Sequence, residues 1–242
     1  MPYLCTSIIV MELFYTPGFS EQHPVLDEQE SNHCIQVMRH RLGDALMVVD
    51  GLGTCYWGVV AEAHHKRCRV SIERVERMEP MQPRIHIAVA PTKNMDRIEW
   101  FAEKATEIGV HELSFILCRH SERKNLRADR IDKVVVAAMK QSQKMFKPVV
   151  NDAVDFTSFV NRPFAGKKFI AHCHGGSKQP LRTACGTGEN VLVLIGPEGD
   201  FSEHEVDMAI NKGFEPISLG NSRLRTETAA LVACHTVRLM NE

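Results

Sequence analysis

The spacing of apolar positions changes near residue 80 and divides the chain into two stretches. In the first the period is two. Cys68, Val70 and Ile72 alternate with Arg67, Arg69, Ser71 and Glu73, the pattern of a strand with one buried face. Residues 45–50 and 56–61 are further apolar runs, and Asp50-Gly51-Leu52-Gly53 between them suits a hairpin turn. One helix is expected to open at Asp27, with Glu30 as its capping partner, and to end before Gly43. Short strands with tight turns predict a small β-barrel.

Met78-Glu79-Pro80-Met81-Gln82-Pro83 interrupts this pattern and reads as a linker, which puts the domains at 1–79 and 80–242. Beyond it, apolar strands are expected at 85–90, 113–117, 169–171, 191–195 and 217–219, with helices between most of them. Ile98, Phe101, Ala105 and Ile108 form one helical stripe, closed by Gly109. Ile131, Val134, Val135, Ala138 and Met145 form another, and leave Arg130, Lys133, Lys140, Lys144 and Lys147 largely off it. Strand–helix alternation of this kind predicts a parallel sheet covered on both faces, an α/β fold.

Composition removes several classes of function. No apolar run approaches the roughly 20 residues that cross a bilayer, so no membrane role is expected. Ile8-Ile9-Val10 lacks the basic start and length of a secretory signal. Eight cysteines without a Cys-x-x-Cys pair read as reduced thiols of a cytoplasmic protein. The net charge of -1 is unremarkable, yet between Arg119 and Lys147 nine Lys/Arg face three Asp/Glu, a local balance of +6. Taken alone, that run fits a solvated helix face as well as a polyanion site.

Ligands of open parallel sheets sit beyond the carboxyl ends of the strands. The strand at 191–195 runs into Gly196-Pro197-Glu198-Gly199-Asp200-Phe201, and Ser202-Glu203-His204-Glu205 then forms a capping box. The next strand ends in Ser218-Leu219-Gly220, and Asn221-Ser222-Arg223-Leu224-Arg225 leads into Thr226-Glu227-Thr228-Ala229-Ala230. Glycines there let a planar ligand approach main-chain amides and carbonyls. Gly-x-Gly-x-x-Gly, Walker, His-Glu-x-x-His and Gly-x-Ser-x-Gly patterns are absent from the sequence, and no metal is expected.

Gly196-Pro197-Glu198-Gly199, Ser218-Leu219-Gly220 and Leu224-Arg225-Thr226-Glu227-Thr228-Ala229 resemble, in order and spacing, the C-terminal motifs of the RsmE family. These are SPOUT-class 16S ribosomal RNA (uracil-N3)-methyltransferases. Arg97-Ile98-Glu99-Trp100, 104–110, Ser121-Glu122-Arg123 and Gln141-Ser142 resemble the family's central motifs. His33, Val37, Arg39, Gly43-Asp44 and Asp50-Gly51 resemble its PUA-type barrel, which would start at Met11 and leave residues 1–10 outside it. The sequence departs from the family where Asp200 replaces a frequent second glycine and Gln143-Lys144 a usual Gly-Arg. A Pro-Arg pair is also missing near Asn221-Ser222, as is an arginine around Leu13-Phe14-Tyr15.

The resemblance implies a trefoil-knotted catalytic sheet behind a small PUA-like β-barrel, and a homodimer with active sites near the protomer interface. It implies S-adenosylmethionine as cofactor and 16S rRNA, within a small ribosomal subunit particle, as partner. The cofactor residues would be His172, Ile195, Gly196, Pro197, Glu198, Gly199, Ser218, Leu219, Gly220, Leu224, Arg225, Thr228 and Ala229. Arg225 is expected to stabilise charge developing on the uracil oxygens, with Glu227 orienting it; no general base is assigned. Arg39, Arg67, Arg69, Arg123 and Lys144 are candidate phosphate contacts. Two other readings stand beside this one: a related knotted enzyme acting on tRNA or a ribose 2'-hydroxyl, and a non-catalytic RNA-binding assembly factor.

Overall fold

The computed structural model describes residues 11–242, so the first ten, with the Ile8-Ile9-Val10 run, lie outside the described residues. Two compact units are present: the chain up to Pro80 together with Met139–Lys147, and Met81–Ala138 together with Pro148–Glu242.

The first unit holds β1 (Leu13–Tyr15), α1 (Glu28–Asn32), β2 (Ala45–Val49), β3 (Thr54–Glu62) and β4 (Arg69–Arg77). They form a four-stranded sheet in the order β1-β2-β3-β4, with β1 parallel to β2 and the other pairs antiparallel. β2 and β3 are the expected hairpin. Gly51 and Gly53 turn it with φ of 77° and 104°, and a Cβ on Gly53 would lie 2.3 Å from the Phe146 ring. β2 reads as an unbroken apolar run because both of its faces are covered. Leu46 and Val48 pack with Phe14, Tyr56 and Val70, whereas Met47 and Val49 pack with Cys55 and Met139.

The first helix departs from expectation. Asp27 does cap it, accepting from the Glu30 amide at 2.8 Å. The carboxylate of Glu30 does not return the bond to Asp27. It is buried and receives both bonds of the Lys140 ammonium, at 2.6 and 2.8 Å. The regular helix stops at Asn32 and is followed by a π-helical turn over His33–Val37, so the helical segment does end before Gly43.

The second unit contains β5 (Ile85–Val89), α2 (Met95–Ile108), β6 (Glu112–Leu117), α3 (Ala128–Gln141), β7 (Val149–Asp155), α4 (Phe156–Val160) and β8 (Lys167–Ala171). There follow β9 (Gln179–Pro180), α5 (Leu181–Ala184), β10 (Val191–Ile195), α6 (Glu203–Asn211), β11 (Glu215–Ser218) and α7 (Thr226–Leu239). The last three residues of α3 belong to the first unit. The strands form one parallel sheet in the order β7-β6-β5-β10-β8-β11-β9. Ile85, Ile87, Val191 and Val193 face a core shared with α2 and α7. Ala88, Ile170, Leu192 and Leu194 face another shared with α4 and α6. Cover on both faces makes these strands continuously apolar.

Local signals set the helix ends. Asn94 caps α2 by accepting from the Asp96 amide at 3.0 Å, and Gly109, at φ 102°, closes it. Ser202 and Glu205 form both halves of the expected capping box on α6. α3, however, ends at Gln141, so Met145 is not part of its apolar stripe. Gln143 takes a left-handed conformation, φ 52°, and turns the chain away from the helix axis.

Candidate active site

The two anticipated stretches of loop, 196–201 and 219–225, and a further one opened by His172 leave neighbouring strands. Ile195 at the end of β10 pairs with Ala171 at the end of β8, and Ala171 pairs with Ile217 of β11. The chain therefore emerges from these three strands side by side, as 196–201, 172–178 and 219–225.

In the first loop Gly196 and Pro197 are buried beneath the turn, and Phe201 anchors its far end at 0% exposure. The Thr226 hydroxyl donates to the Gly196 carbonyl at 3.1 Å and fastens this loop to the start of α7. Glu198 is exposed, and its Oε1 accepts from the Lys93 amide at 3.0 Å, which holds the loop after β5 against it. Asp200 stands in the left-handed region at φ 62°, a conformation that normally calls for glycine. Its carboxylate offsets the strain. Oδ1 accepts from the Phe201 amide at 2.8 Å, and Oδ2 from the Cys173 amide at 2.7 Å. The residue that departs from the family pattern thus ties the first loop to the second.

His172 opens the second loop, half-buried, with Lys178 Nζ donating to its carbonyl at 2.7 Å. Burial, reinforced by the Lys178 charge, holds this imidazole below its ordinary pKa and favours the neutral ring. In the third loop Ser218 and Leu219 are half-buried. Gly220 has φ 118° with open space where a side chain would be. Arg225 is extended, φ -71° and ψ 157°, and its carbonyl accepts from the Ala229 amide at 2.7 Å as α7 begins.

Beside this helix start lies a cavity of about 620 Å³. Asp96, Arg97 and Trp100 of α2 form one wall; Leu224, Arg225, Glu227 and Thr228, with Arg223, form the other. Glu227 is only 7% exposed. Its Oε1 lies 3.8 Å from Arg97 Nε, so Arg97 rather than Arg225 is its cationic neighbour, contrary to expectation. Its Oε2 is buried with no hydrogen-bond partner in the protein, an acceptor available to a ligand's donor. Among the described residues neither Arg223 nor Arg225 has an ion-pair partner, and both are exposed.

The Arg97–Trp100 motif thus supplies two residues of the cavity wall, a role the motif does not declare by itself. The helical period carries the signal. With Ile98 and Phe101 in the core, Arg97 and Trp100 must share an adjoining flank of α2, three positions apart.

Of the anticipated phosphate contacts, Arg39, Arg67, Arg69 and Lys144 belong to the first unit and Arg123 to the second. Arg39 is exposed with φ 61°, Arg69 is exposed on β4, and Arg67 is 3.5 Å from Glu62. Arg123 uses its guanidinium to hold the Lys93 carbonyl at 2.8 Å, and Lys144 is half-buried. The expected positive helix face is also weaker than the sequence suggests. Lys140 is committed to Glu30, and Arg130 lies against Glu99, within 2.5 Å, and 3.9 Å from Asp96. Among the described residues no helix is long and apolar enough to cross a membrane, and seven cysteines are free thiols.

Comparison with known proteins agrees with this architecture. Residues 79–238 match the RNA methyltransferase domain family, and 26–73 match the RNA methyltransferase PUA domain. The crystal structure of a probable rRNA-methyltransferase from Porphyromonas gingivalis is 41% identical, with 96% of this chain and 98% of that one aligned at a TM-score of 0.88. A Legionella pneumophila structure described as a methyltransferase with bound cofactor SAM is 25% identical, covers 96% and 98% of the two chains, and has a TM-score of 0.84. Ribosomal RNA small subunit methyltransferase E of Mycobacterium bovis is 27% identical over 246 residues, 96% of this chain and 93% of that protein. With the domain match spanning most of the chain and a PUA domain ahead of it, the chain belongs to the RNA methyltransferase family, on the RsmE pattern.

Proposed function

We propose that the chain methylates N3 of a uridine in 16S rRNA, using S-adenosylmethionine. The observation that carries this reading is the adjacency of three strand ends, where glycine-bearing loops meet the exposed Arg225 at the start of α7. The residues fit the cofactor. Gly220 leaves open space above an unobstructed backbone, and Glu227 Oε2 is an orphaned buried acceptor. His172, Ile195, Gly196, Pro197, Glu198, Gly199, Ser218, Leu219, Gly220, Leu224, Thr228 and Ala229 would hold it, with Arg225 at the boundary between cofactor and acceptor.

When bound, S-adenosylmethionine supplies an electrophilic methyl group. The protein's task is then to raise the nucleophilicity of an amide-like nitrogen that keeps its proton at neutral pH. Arg225, charged and without an ion pair among the described residues, stabilises negative charge developing on the uracil oxygens as the N3 proton leaves to water. Glu227, with Oε1 3.8 Å from Arg97 Nε, balances the Arg97 charge across the cavity. Arg39, Arg67, Arg69, Arg123 and Lys144 contribute phosphate contacts, and the substrate is the RNA of a small ribosomal particle. The active form is a homodimer, and α7, packed on α2 and β5, is the C-terminal segment threaded through the trefoil knot.

Arg225→Ala tests the mechanism. Loss of one pre-positioned donor to a developing oxyanion lowers the rate about 100- to 1,000-fold. Single-turnover methylation should fall by that much while cofactor affinity and melting temperature change little, and Arg225→Lys should recover only part. A well-folded Arg225→Ala protein with near-normal turnover would remove Arg225 from the mechanism. Mass spectrometry of digested product RNA locates the methyl group, and 3-methyluridine in 16S rRNA is the expected product.

A further inference from the structure

We infer that Trp100 is the stacking surface for the acceptor base, a positioning residue for the methylation proposed above and dependent on that reading. Trp100 is 43% exposed, a large aromatic left open in a helix whose neighbouring residues Ile98 and Phe101 are fully buried. It lies in the wall of the 620 Å³ cavity, opposite the start of α7. The chemistry of the surrounding side chains selects the occupant. The cavity carries Arg97, Arg223 and Arg225 against Asp96 and Glu227, and Glu227 is already beside Arg97. Two exposed arginines therefore remain for an anion, next to one flat apolar surface. A nucleotide joins those two features in one ligand: a planar base and a phosphate.

Stacking and charge also divide the labour. An indole face holds any base by its π-surface and fixes the plane of the ring. Arg225 then meets the edge of that ring, where the uracil oxygens lie. Orientation by stacking costs the acceptor its freedom before reaction, so the effect belongs to RNA binding rather than to cofactor binding or to charge development.

The test uses the full-length protein. The chain has two tryptophans, so Trp57→Phe leaves Trp100 as the only indole fluorophore. Titration with a short uridine-containing 16S fragment should quench its emission, because a stacked base deactivates the indole excited state. In steady-state methylation, Trp100→Ala should raise KM for RNA by roughly 10- to 100-fold, the range that loss of one base–aromatic stack gives. Its kcat and its affinity for S-adenosylmethionine should stay within about two-fold, and Trp100→Phe should restore most of the KM. Unchanged KM in Trp100→Ala, unquenched emission, or no rescue by phenylalanine would each overturn the inference. So would a shift of association state in sedimentation velocity of Trp100→Ala, which would assign the indole to contact with a second copy. Absence of methylation by the wild-type protein would instead defeat the functional reading on which this inference rests.

Discussion

His86 offers a prediction whose size follows directly from its surroundings. It sits on β5, 6% exposed, with Nε2 2.9 Å from Ser114 Oγ and Nδ1 3.6 Å from Glu112 Oε2. Asn151 donates to both Ser114 Oγ and Glu112 Oε1, at 2.9 and 2.7 Å, and Arg84 pairs with Glu112. With Asn151 donating to it, the Ser114 hydroxyl donates onward to Nε2, and the ring proton rests on Nδ1 facing Glu112. The order serine–histidine–glutamate resembles a nucleophilic triad, but Ser114 is 1% exposed and the network serves to satisfy buried polar groups.

Burial drives the His86 pKa from 6.5 down to about 4, overcoming the upward pull of Glu112. A depressed histidine pKa means that the unfolded chain takes up the proton first. The stability is therefore fully present above pH 6.5 and is lost as pH falls towards 4. Linkage between those two values gives a loss of about 2 kcal/mol at pH 5 and about 3 kcal/mol at pH 4. Urea unfolding of the wild type and of His86→Gln, from pH 7.5 to pH 4, isolates this contribution, since other titrating groups largely cancel in the difference. The wild-type curve should fall more steeply by that amount. Parallel curves would refute the reasoning and mean that His86 is protonated, or hydrated, in the folded protein.

Other expectations follow from the same kind of accounting. Lys140→Met leaves the buried Glu30 carboxylate without its cation and should destabilise the N-terminal unit by about 3 to 5 kcal/mol, while adding Glu30→Leu should restore most of the loss; a double-mutant cycle by urea melts measures both. Gln143→Gly should stabilise by roughly 0.5 to 1 kcal/mol, because an exposed side chain at φ 52° carries left-handed strain that glycine removes; a lower unfolding midpoint would contradict it. Asp200→Ala keeps the strain and deletes the bonds to Cys173 and Phe201, so S-adenosylmethionine affinity should drop about ten-fold by calorimetry, a cost of about 1.4 kcal/mol for the lost loop connection.

What could be read from the sequence was whatever neighbours in the chain decide. The β2–β3 hairpin, the strand β10, the glycine stop of α2 and the capping box of α6 all depend on contacts within a few residues, and each is where periodicity put it. The candidate loops were legible for the same reason: a parallel strand ending in glycine announces where a ligand can approach. β7 was not, because its sequence, VVNDAVD, lies at the sheet edge and needs no continuous apolar run. Nor were the charge pairings. Glu30 meets Lys140 across 110 positions, and Glu227 meets Arg97 across 130, so nothing local distinguishes a paired cation from a free one. That decision removed Lys140 from the apparent positive face and gave Glu227 Arg97 as its cationic neighbour. Tertiary structure also turned Trp100 into one wall of a cavity, since α2 and α7, far apart in sequence, pack directly against each other. Spacing along a helix fixes which side chains share a face; only packing between distant segments fixes what that face meets, because the charge on a side chain is local but its desolvation and its partner are not.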